Sequence, residues 1–380
     1  MRVELLEKIL KKKDKIREYL QQNIEKINEE EIKSKWTAYN PNPKSIHHLA
    51  ADGSFYQKSY LGFSLIVFAG YAENTNLNSE NISSFTIGDI FPTVIKKTEH
   101  VKTLATLFMF LCEAKALLYL AKKEKPDFII FDGTITSRFI IPFPLSNWFT
   151  DNEVESQINT IVNELFKENI EKIKETDLYF LRDDIIKSIF TKLESPRKDY
   201  IEAIVSKFAY YEYLFTLYNI FKLEHKPLII GLAKTSTGTD ILNHSLPDIK
   251  LFLNYINELG YSESVEQNLE KLKTSLGELQ LIDDKIFSFL YEINIESFYV
   301  KYTSKNAINL IEVYQNPDFG TIRKEDILDY LSDMDYLGYN YPFKLKKVDN
   351  EVRITSSDFE FIEKQLGLEF SITGREALWK

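Results

Sequence analysis

The sequence predicts an α/β fold: a mixed sheet core with a helical insertion at about 151–225 and an N-terminal helix over 1–35. Three observations carry this. Strand-like and helical patterns alternate along the chain instead of segregating. The run Pro227–Ala233 is apolar throughout, the kind of strand that is buried on both faces of a sheet. The 380 residues are 44% hydrophobic and 14% aromatic, with only 13 Gly and 11 Pro, which supplies a packed core and excludes a disordered or collagenous chain.

Residues 3–33 read as a long helix, with Leu6, Ile9, Leu10, Ile16, Leu20 and Ile27 at helical spacing. Lys13 and Asn23 interrupt that seam, so the helix either packs on its own domain or pairs with a partner chain. Three strands follow at His47–Ala51, Leu61–Tyr71 and Phe85–Val94, joined by polar links as in an antiparallel meander. Residues 98–123 switch to a helical pattern, and Asp127–Phe131 is a compact strand behind Pro126. Residues 151–225 are helical and amphipathic, without a chemical motif. After the strand Pro227–Ala233, helices are expected over 246–291 and a hairpin at Phe298–Tyr302 and Asn309–Tyr314. Two last helices are expected at 323–335 and near 357–366. Three antiparallel strands, a helix, a strand and further α/β units are the order of a ribonuclease H-like fold. The domain would span 45–380.

Lys plus Arg number 47 against 57 Asp plus Glu, a net charge of −10, so a globally basic nucleic-acid coat is excluded while a local basic groove is not. The single cysteine, Cys112, excludes a disulfide framework or a cysteine-based metal site within one chain, and suits a reducing interior. The longest uncharged apolar run, Leu61–Ala72, is far short of the roughly 20 residues of a membrane helix, and no signal peptide is visible. The expectation is a cytoplasmic protein with no membrane contact.

Two Asp-Gly pairs hold the chemistry. Asp52-Gly53 closes the first strand and, alone, reads most simply as a turn. Asp132-Gly133 closes the strand that lies beside the first in this fold, so the two carboxylates would converge. Glu113 lies between Met109, Phe110, Ala116 and Leu117 on the intervening helix, inside an apolar stripe. A buried carboxylate there must neutralise, pair with a lysine or find a cation. Oxygen ligands with few nitrogen or sulfur candidates favour Mg²⁺ or Mn²⁺, and three acids from strand, helix and strand suit two-metal phosphodiester chemistry.

With Ala-Asp-Gly-Ser-Phe at 51–55, Glu113, Phe-Asp-Gly-Thr at 131–134, Ile-Gly-Leu-Ala-Lys-Thr-Ser at 230–236 and Gly-Tyr-Asn-Tyr-Pro-Phe at 338–343, the chain resembles the NurA nuclease family over roughly 45–365. The resemblance implies a ribonuclease H-like, Mn²⁺-dependent nuclease, with Mg²⁺ as the other candidate ion. Such an enzyme degrades single- and double-stranded DNA as a homodimer. It works with the hexameric HerA ATPase in end resection for recombination repair. It implies Asp52, Glu113 and Asp132 as metal ligands. Tyr341 matches the tyrosine of the family's Tyr-Pro motif and would position a phosphate or water. The family's late motif usually ends in Ala-His, eight residues after that tyrosine; here Val348-Asp349 stands instead. Asp349 would then be a fourth metal carboxylate, or the site is weakened and the chain serves as a HerA adaptor.

Other polar residues are weighed the same way. Lys234, after a buried strand, would neutralise a phosphate or simply face solvent. Thr134, Ser137 and Arg138 are placed to touch a DNA backbone or to form a plain polar loop. Of the basic clusters, Lys344, Lys346 and Lys347 lie next to Tyr341 and are the best DNA-backbone candidates. None of the five histidines has metal-pair spacing. No phosphate-cradling Gly-x-x-x-x-Gly-Lys loop occurs, so ATP-driven translocation would need a partner. An actin-like phosphotransferase, suggested by two Asp-Gly-Ser/Thr loops, lacks the later Gly-rich segment.

Overall fold

Apolar runs with period two pair into one sheet, and the helical runs cover both its faces. The computed structural model describes residues 3–22, 28–75, 82–94, 98–139, 152–175, 180–194, 196–268, 293–316 and 322–368. In chain order the first elements are α1 (Val3–Gln22), α2 (Glu29–Ser34), β1 (Trp36–Ala38), β2 (His48–Ser59), β3 (Ser64–Thr75), β4 (Ser83–Thr93), α3 (Thr98–Glu124), β5 (Phe128–Asp132) and α4 (Ile135–Phe139). Next come α5 (Asn152–Glu175), α6 (Arg182–Lys192), α7 (Lys198–Phe221), β6 (Leu228–Ala233), α8 (Asp248–Tyr255), β7 (Gly260–Ser262) and β8 (Val265–Asn268). The chain continues with β9 (Asn294–Lys301), β10 (Asn309–Tyr314), α9 (Lys324–Met334), α10 (Phe343–Val352) and α11 (Ser356–Gln365).

Among the described residues the strands form one sheet in the order β1-β7-β9-β10-β6-β5-β2-β3-β4, with β8 also on β9. Within it, β2, β3 and β4 are antiparallel, while β5 runs parallel to β2 and β6 parallel to β5. The antiparallel meander and the placing of β5 beside β2 are as expected from the sequence. The hairpin β9–β10 adds to it antiparallel, Asn309 facing Val300. Side chains alternate between two cores. Leu49, Ala51, Ile129 and Phe131 face α3 and α7, while Ala50, Phe128, Ile130 and Ile230 face Leu328, Leu345 and Val348 of α9 and α10.

Helix α3 is apolar all round because the sheet covers one side and α7 another. It is long and apolar enough to cross a bilayer, but most of it is buried within the fold. The helical stretch after residue 151 is therefore not set apart: α5 and α6 pack on α7, and α7 lies along α3. Its buried ion pair, Lys115 with Glu212 at 2.6 Å, joins the two helices.

Several expectations change. The first strand does not end at Asp52; β2 runs on to Ser59, paired with β3 throughout. Strands β7 and β8 replace part of the helix expected over 246–291; at three and four residues they are too short to show a period. The start of that expectation is met by α8, and its end, 269–291, lies outside the described residues. Helix α10 was not expected, although Leu345, Val348 and Val352 bury one stripe. The N-terminal helix is α1 and α2, with 23–27 outside the described residues. On α1, Val3, Leu6, Ile9, Leu10 and Ile16 are 42–71% exposed.

Close approach of α3 to the sheet depends on glycine. Gly53 faces Gly70 across the β2–β3 ladder. A Cβ on Gly70 would lie 2.3 Å from the Glu113 amide nitrogen, and one on Gly53 would lie 2.6 Å from Met109. The helix backbone at Cys112–Glu113 thus rests directly on β3. We expect Gly70→Ala to destabilise the chain by about 1–3 kcal/mol or more, since backbone cannot yield as a side chain can. Urea unfolding measures this; an unchanged midpoint would contradict the packing described.

Candidate active site

The parallel ladder of β2 and β5 pairs Ala51 with Phe131, so Asp52 and Asp132 come next in register on neighbouring strands. Gly133 then turns the chain with φ +95° into α4. The turn passes over β6 at Gly231, where a Cβ would lie 2.7 Å from the Gly133 carbonyl oxygen. Glu113 reaches the same place from α3. The three acids therefore meet where the parallel ladder of β2 and β5 ends, midway along β2.

Their proximity is visible in the electrostatics. The Asp52 carboxyl is pushed up to about 7, first by burial, then by the charges of Glu113 and Asp132; the Gly53 amide, donating to Asp52 Oδ1 at 2.7 Å, opposes this. Glu113 is 1% exposed, and burial raises its carboxyl as well. The expected alternatives for Glu113 included a lysine partner. The partner is instead Arg138, whose Nη1 donates to Glu113 Oε2 at 2.5 Å and whose Nη2 donates to the Asp132 carbonyl at 2.6 Å. Lys115, two residues from Glu113, is committed to Glu212.

Lys234 lies 3.6 Å from Asp132 Oδ2, and its ammonium sits 3.8 Å from the centre of the Tyr341 ring. The Tyr341 hydroxyl is buried and has no hydrogen-bond partner of good geometry. Burial, then the charges of Asp132 and Asp52, hold its proton on well above neutral pH. It is therefore a donor facing the carboxylates.

Other expected site residues fall elsewhere. Arg138 is not a DNA contact: it is 4% exposed, because the buried Glu113 needs its charge. Thr134 accepts from the Ser137 amide at 3.1 Å, so it closes the turn into α4. Asp349 is not brought to the cluster. It pairs with Arg353 one turn along α10 at 2.6 Å, with about half its side chain exposed. Lys344 and Lys347 are turned inward onto Glu73, Lys347 at 2.8 Å, because Glu73 is 1% exposed in β3 and must be neutralised. Lys346 remains exposed over the Tyr339 ring.

Two acids were missed. Glu73, which also accepts from the Tyr71 hydroxyl at 2.7 Å, ties α10 to β3. Glu312 of β10 accepts from both the amide (2.8 Å) and the hydroxyl (2.7 Å) of Thr136, and so fixes the start of α4 and the position of Arg138. The available signal was a lone acid inside an apolar strand, which requires a partner.

The residues fit a hard divalent cation. All three donors are oxygen acids, Glu113 Oε1 is buried without a hydrogen-bond partner, and a cation would relieve the repulsion that raises Asp52. Among the described residues no three acidic, histidine or cysteine side chains stand at coordination spacing, and Arg138 holds one Glu113 oxygen.

Raised carboxyls make a signed prediction. The folded chain keeps a proton on Asp52 that the unfolded chain releases near pH 4, so stability falls as pH rises from about 4 to about 7 and then levels. Asp52→Asn removes that contribution. In EDTA it should be about 1–3 kcal/mol more stable than the parent at pH 8, after allowance for solvent screening, and equal near pH 4. Parallel stability–pH curves for the two proteins would refute the assignment.

The NurA domain family model matches residues 48–354. The probable DNA double-strand break repair nuclease NurA of Methanocaldococcus jannaschii is 27% identical over 372 residues, 96% of this chain and 90% of that protein. The crystal structure of the NurA nuclease from Sulfolobus solfataricus superposes with a TM-score of 0.64 at 17% identity, covering 97% of both chains. A crystal structure of NurA with manganese gives 0.65 at 15% identity, over 95% of this chain and 98% of that one. The match of the family model over most of the chain, on the fold and carboxylates described, places it in the NurA family.

Proposed function

We propose that the chain is a metal-dependent deoxyribonuclease that hydrolyses phosphodiester bonds at Asp52, Glu113 and Asp132. The observation that carries this is the three acids brought together on β2, α3 and β5, where burial first and then the charges of Glu113 and Asp132 push the Asp52 carboxyl up to about 7. Asp52, Glu113 and Asp132 would hold a divalent ion, which would supply a hydroxide at neutral pH and positive charge for the phosphate oxygens, with Asp52 in its carboxylate form. Lys234 neutralises a phosphate oxygen at the mouth of the site, and the protonated Tyr341 hydroxyl donates to a phosphate or water. Mn²⁺ is the proposed ion, supported by the manganese-bound relative, with Mg²⁺ as the comparison.

We extend the proposal to DNA end resection, with 5′–3′ exonuclease and endonuclease action on single and double strands alongside a HerA-type hexameric ATPase. The support is the relatives' name as break-repair nucleases, the family resemblance, and the lack of a P-loop sequence in this chain. The nuclease domain would be 45–380. The exposed apolar residues of α1 support a homodimer built through that helix. A second reading, a catalytically weak dimeric adaptor for the motor, draws on Asp349 turning away from the carboxylates.

End-labelled linear DNA with Mn²⁺, Mg²⁺ or EDTA decides between them. Asp52→Ala and Asp132→Ala should each lower Mn²⁺-dependent cleavage by at least about 100-fold while remaining folded. Cleavage retained in both variants would sink the assignment. No cleavage by the parent, even with the motor and ATP, would leave the adaptor. Separately, a Leu6→Glu, Ile9→Glu, Leu10→Glu variant should sediment as a monomer where the parent sediments as a dimer; an unchanged dimer would place the contact elsewhere.

A further inference from the structure

We propose that Tyr339 is a stacking platform for the base of an unpaired nucleotide next to the scissile phosphate. This rests on the nuclease reading and names a residue that would engage the single strand at that same site.

Loop 335–341 is tied down by internal hydrogen bonds, yet it presents an aromatic ring to solvent. The Asp335 carboxylate accepts from the amides of Tyr339 at 3.0 Å and Tyr341 at 3.1 Å. Asn340, 1% exposed, accepts through Oδ1 from the amides of Tyr302 and Thr303 and donates to the Ala307 carbonyl at 3.1 Å. Its φ of +57° and the +66° of Gly338 set the direction of the chain. Between these clamps the two tyrosines separate. The Tyr341 hydroxyl turns in beside Asp132, while Tyr339 is 52% exposed. A large ring held open on a fixed loop gains nothing for the core, but it is pre-organised for a flat partner.

Charge says which partner. Lys346 lies 5.0 Å and Lys305 5.5 Å from the centre of the Tyr339 ring, and both lysines are exposed. Tyr339 and Tyr341 line one open cleft of about 560 Å³ together with Lys234 and Lys250. Cations interleaved with exposed aromatics suit a single strand, whose phosphates meet the lysines while a base stacks on the ring. A duplex end keeps its bases paired and has none to offer. Tyr339, Tyr341 and Lys234 line the same cleft, so a strand whose phosphate reaches Lys234 runs through the cleft that Tyr339 borders.

The test is binding in EDTA, where the DNA stays intact. The probes are fluorescein-labelled (dT)12, the same oligonucleotide with a single abasic site at each position in turn, and a blunt hairpin duplex. Tyr339→Ala should weaken (dT)12 binding about 5- to 100-fold, Tyr339→Phe less than about 2-fold, and duplex binding should change little for either. At one abasic position the parent should lose as much affinity as the Ala variant does, and the Ala variant should lose nothing more. Equal losses on intact and abasic strands, a Phe variant as weak as the Ala variant, or no effect of Tyr339→Ala would each overturn the proposal. Mn²⁺-dependent cleavage by the parent is run in parallel. If cleavage persists and Tyr339→Ala binds normally, only the platform fails; if cleavage is absent even with the motor and ATP, the nuclease reading fails.

Discussion

Glu113 and Arg138 form the buried pair on which the site is built. Glu113 is almost fully enclosed by α3 and the sheet, beside two further carboxylates. An unpaired charge in that position would cost several kcal/mol, and removing one partner of such a pair typically costs about 3–5 kcal/mol. Arg138 answers Glu113 with one nitrogen and holds the Asp132 carbonyl with the other, so one guanidinium spans the helix and the strand end. Its own placement depends on α4, a helix of only five residues, and α4 is anchored through Thr136 to Glu312 on β10. The hairpin at the far side of β6 thereby takes part in positioning acids on β2 and β5.

A second buried acid organises the opposite face. Glu73 draws in Lys344, Lys347 and the Tyr71 hydroxyl, which fastens α10 against β2 and β3. The same lysines read, from sequence, as a DNA-backbone cluster. Their sequence neighbourhood was basic, but the decisive neighbour was an acid some 270 residues away, and burial of that acid outweighs exposure of the lysines. Arg138 follows the same rule. In both cases cations that a linear reading assigns to DNA are consumed by internal carboxylates.

The core order was legible because each of its elements carries its own period: a meander, an apolar helix, and two short strands followed by Asp-Gly or Gly-Leu-Ala-Lys. Asp52, Glu113 and Asp132 were legible because their spacing on those elements is local. Gly53 was legible only as a residue type. It reads as a turn, yet it lies mid-strand, and its absent side chain serves the α3 contact at Met109. Strands β7 and β8 and helix α10 were not legible: the strands are too short to show a period, and a basic run masked the apolar stripe of the helix. Glu73 and Glu312 needed partners that only the fold brings near.

Asp349 shows how packing limits what one substitution can do. Val348 and Val352 hold one face of α10 in the core, and Asp349, one residue past Val348, is rotated onto the flank of the helix. There Arg353 lies one turn away with opposite charge, an (i, i+4) pairing favourable on a helix surface. A carboxylate at this position is thus satisfied apart from the buried acids Asp52, Glu113 and Asp132, where burial and neighbouring negative charge already raise the Asp52 carboxyl. A fourth acid placed there would deepen the repulsion that raises Asp52. On the nuclease reading the groups that would meet a phosphate are Lys234, at ion-pair distance from Asp132, and the Tyr341 hydroxyl, whose proton is held on by burial and by those same carboxylates. The surplus of negative charge thus does two things. It creates the demand for a cation, and it keeps Tyr341 a hydrogen-bond donor at any pH at which the carboxylates are charged.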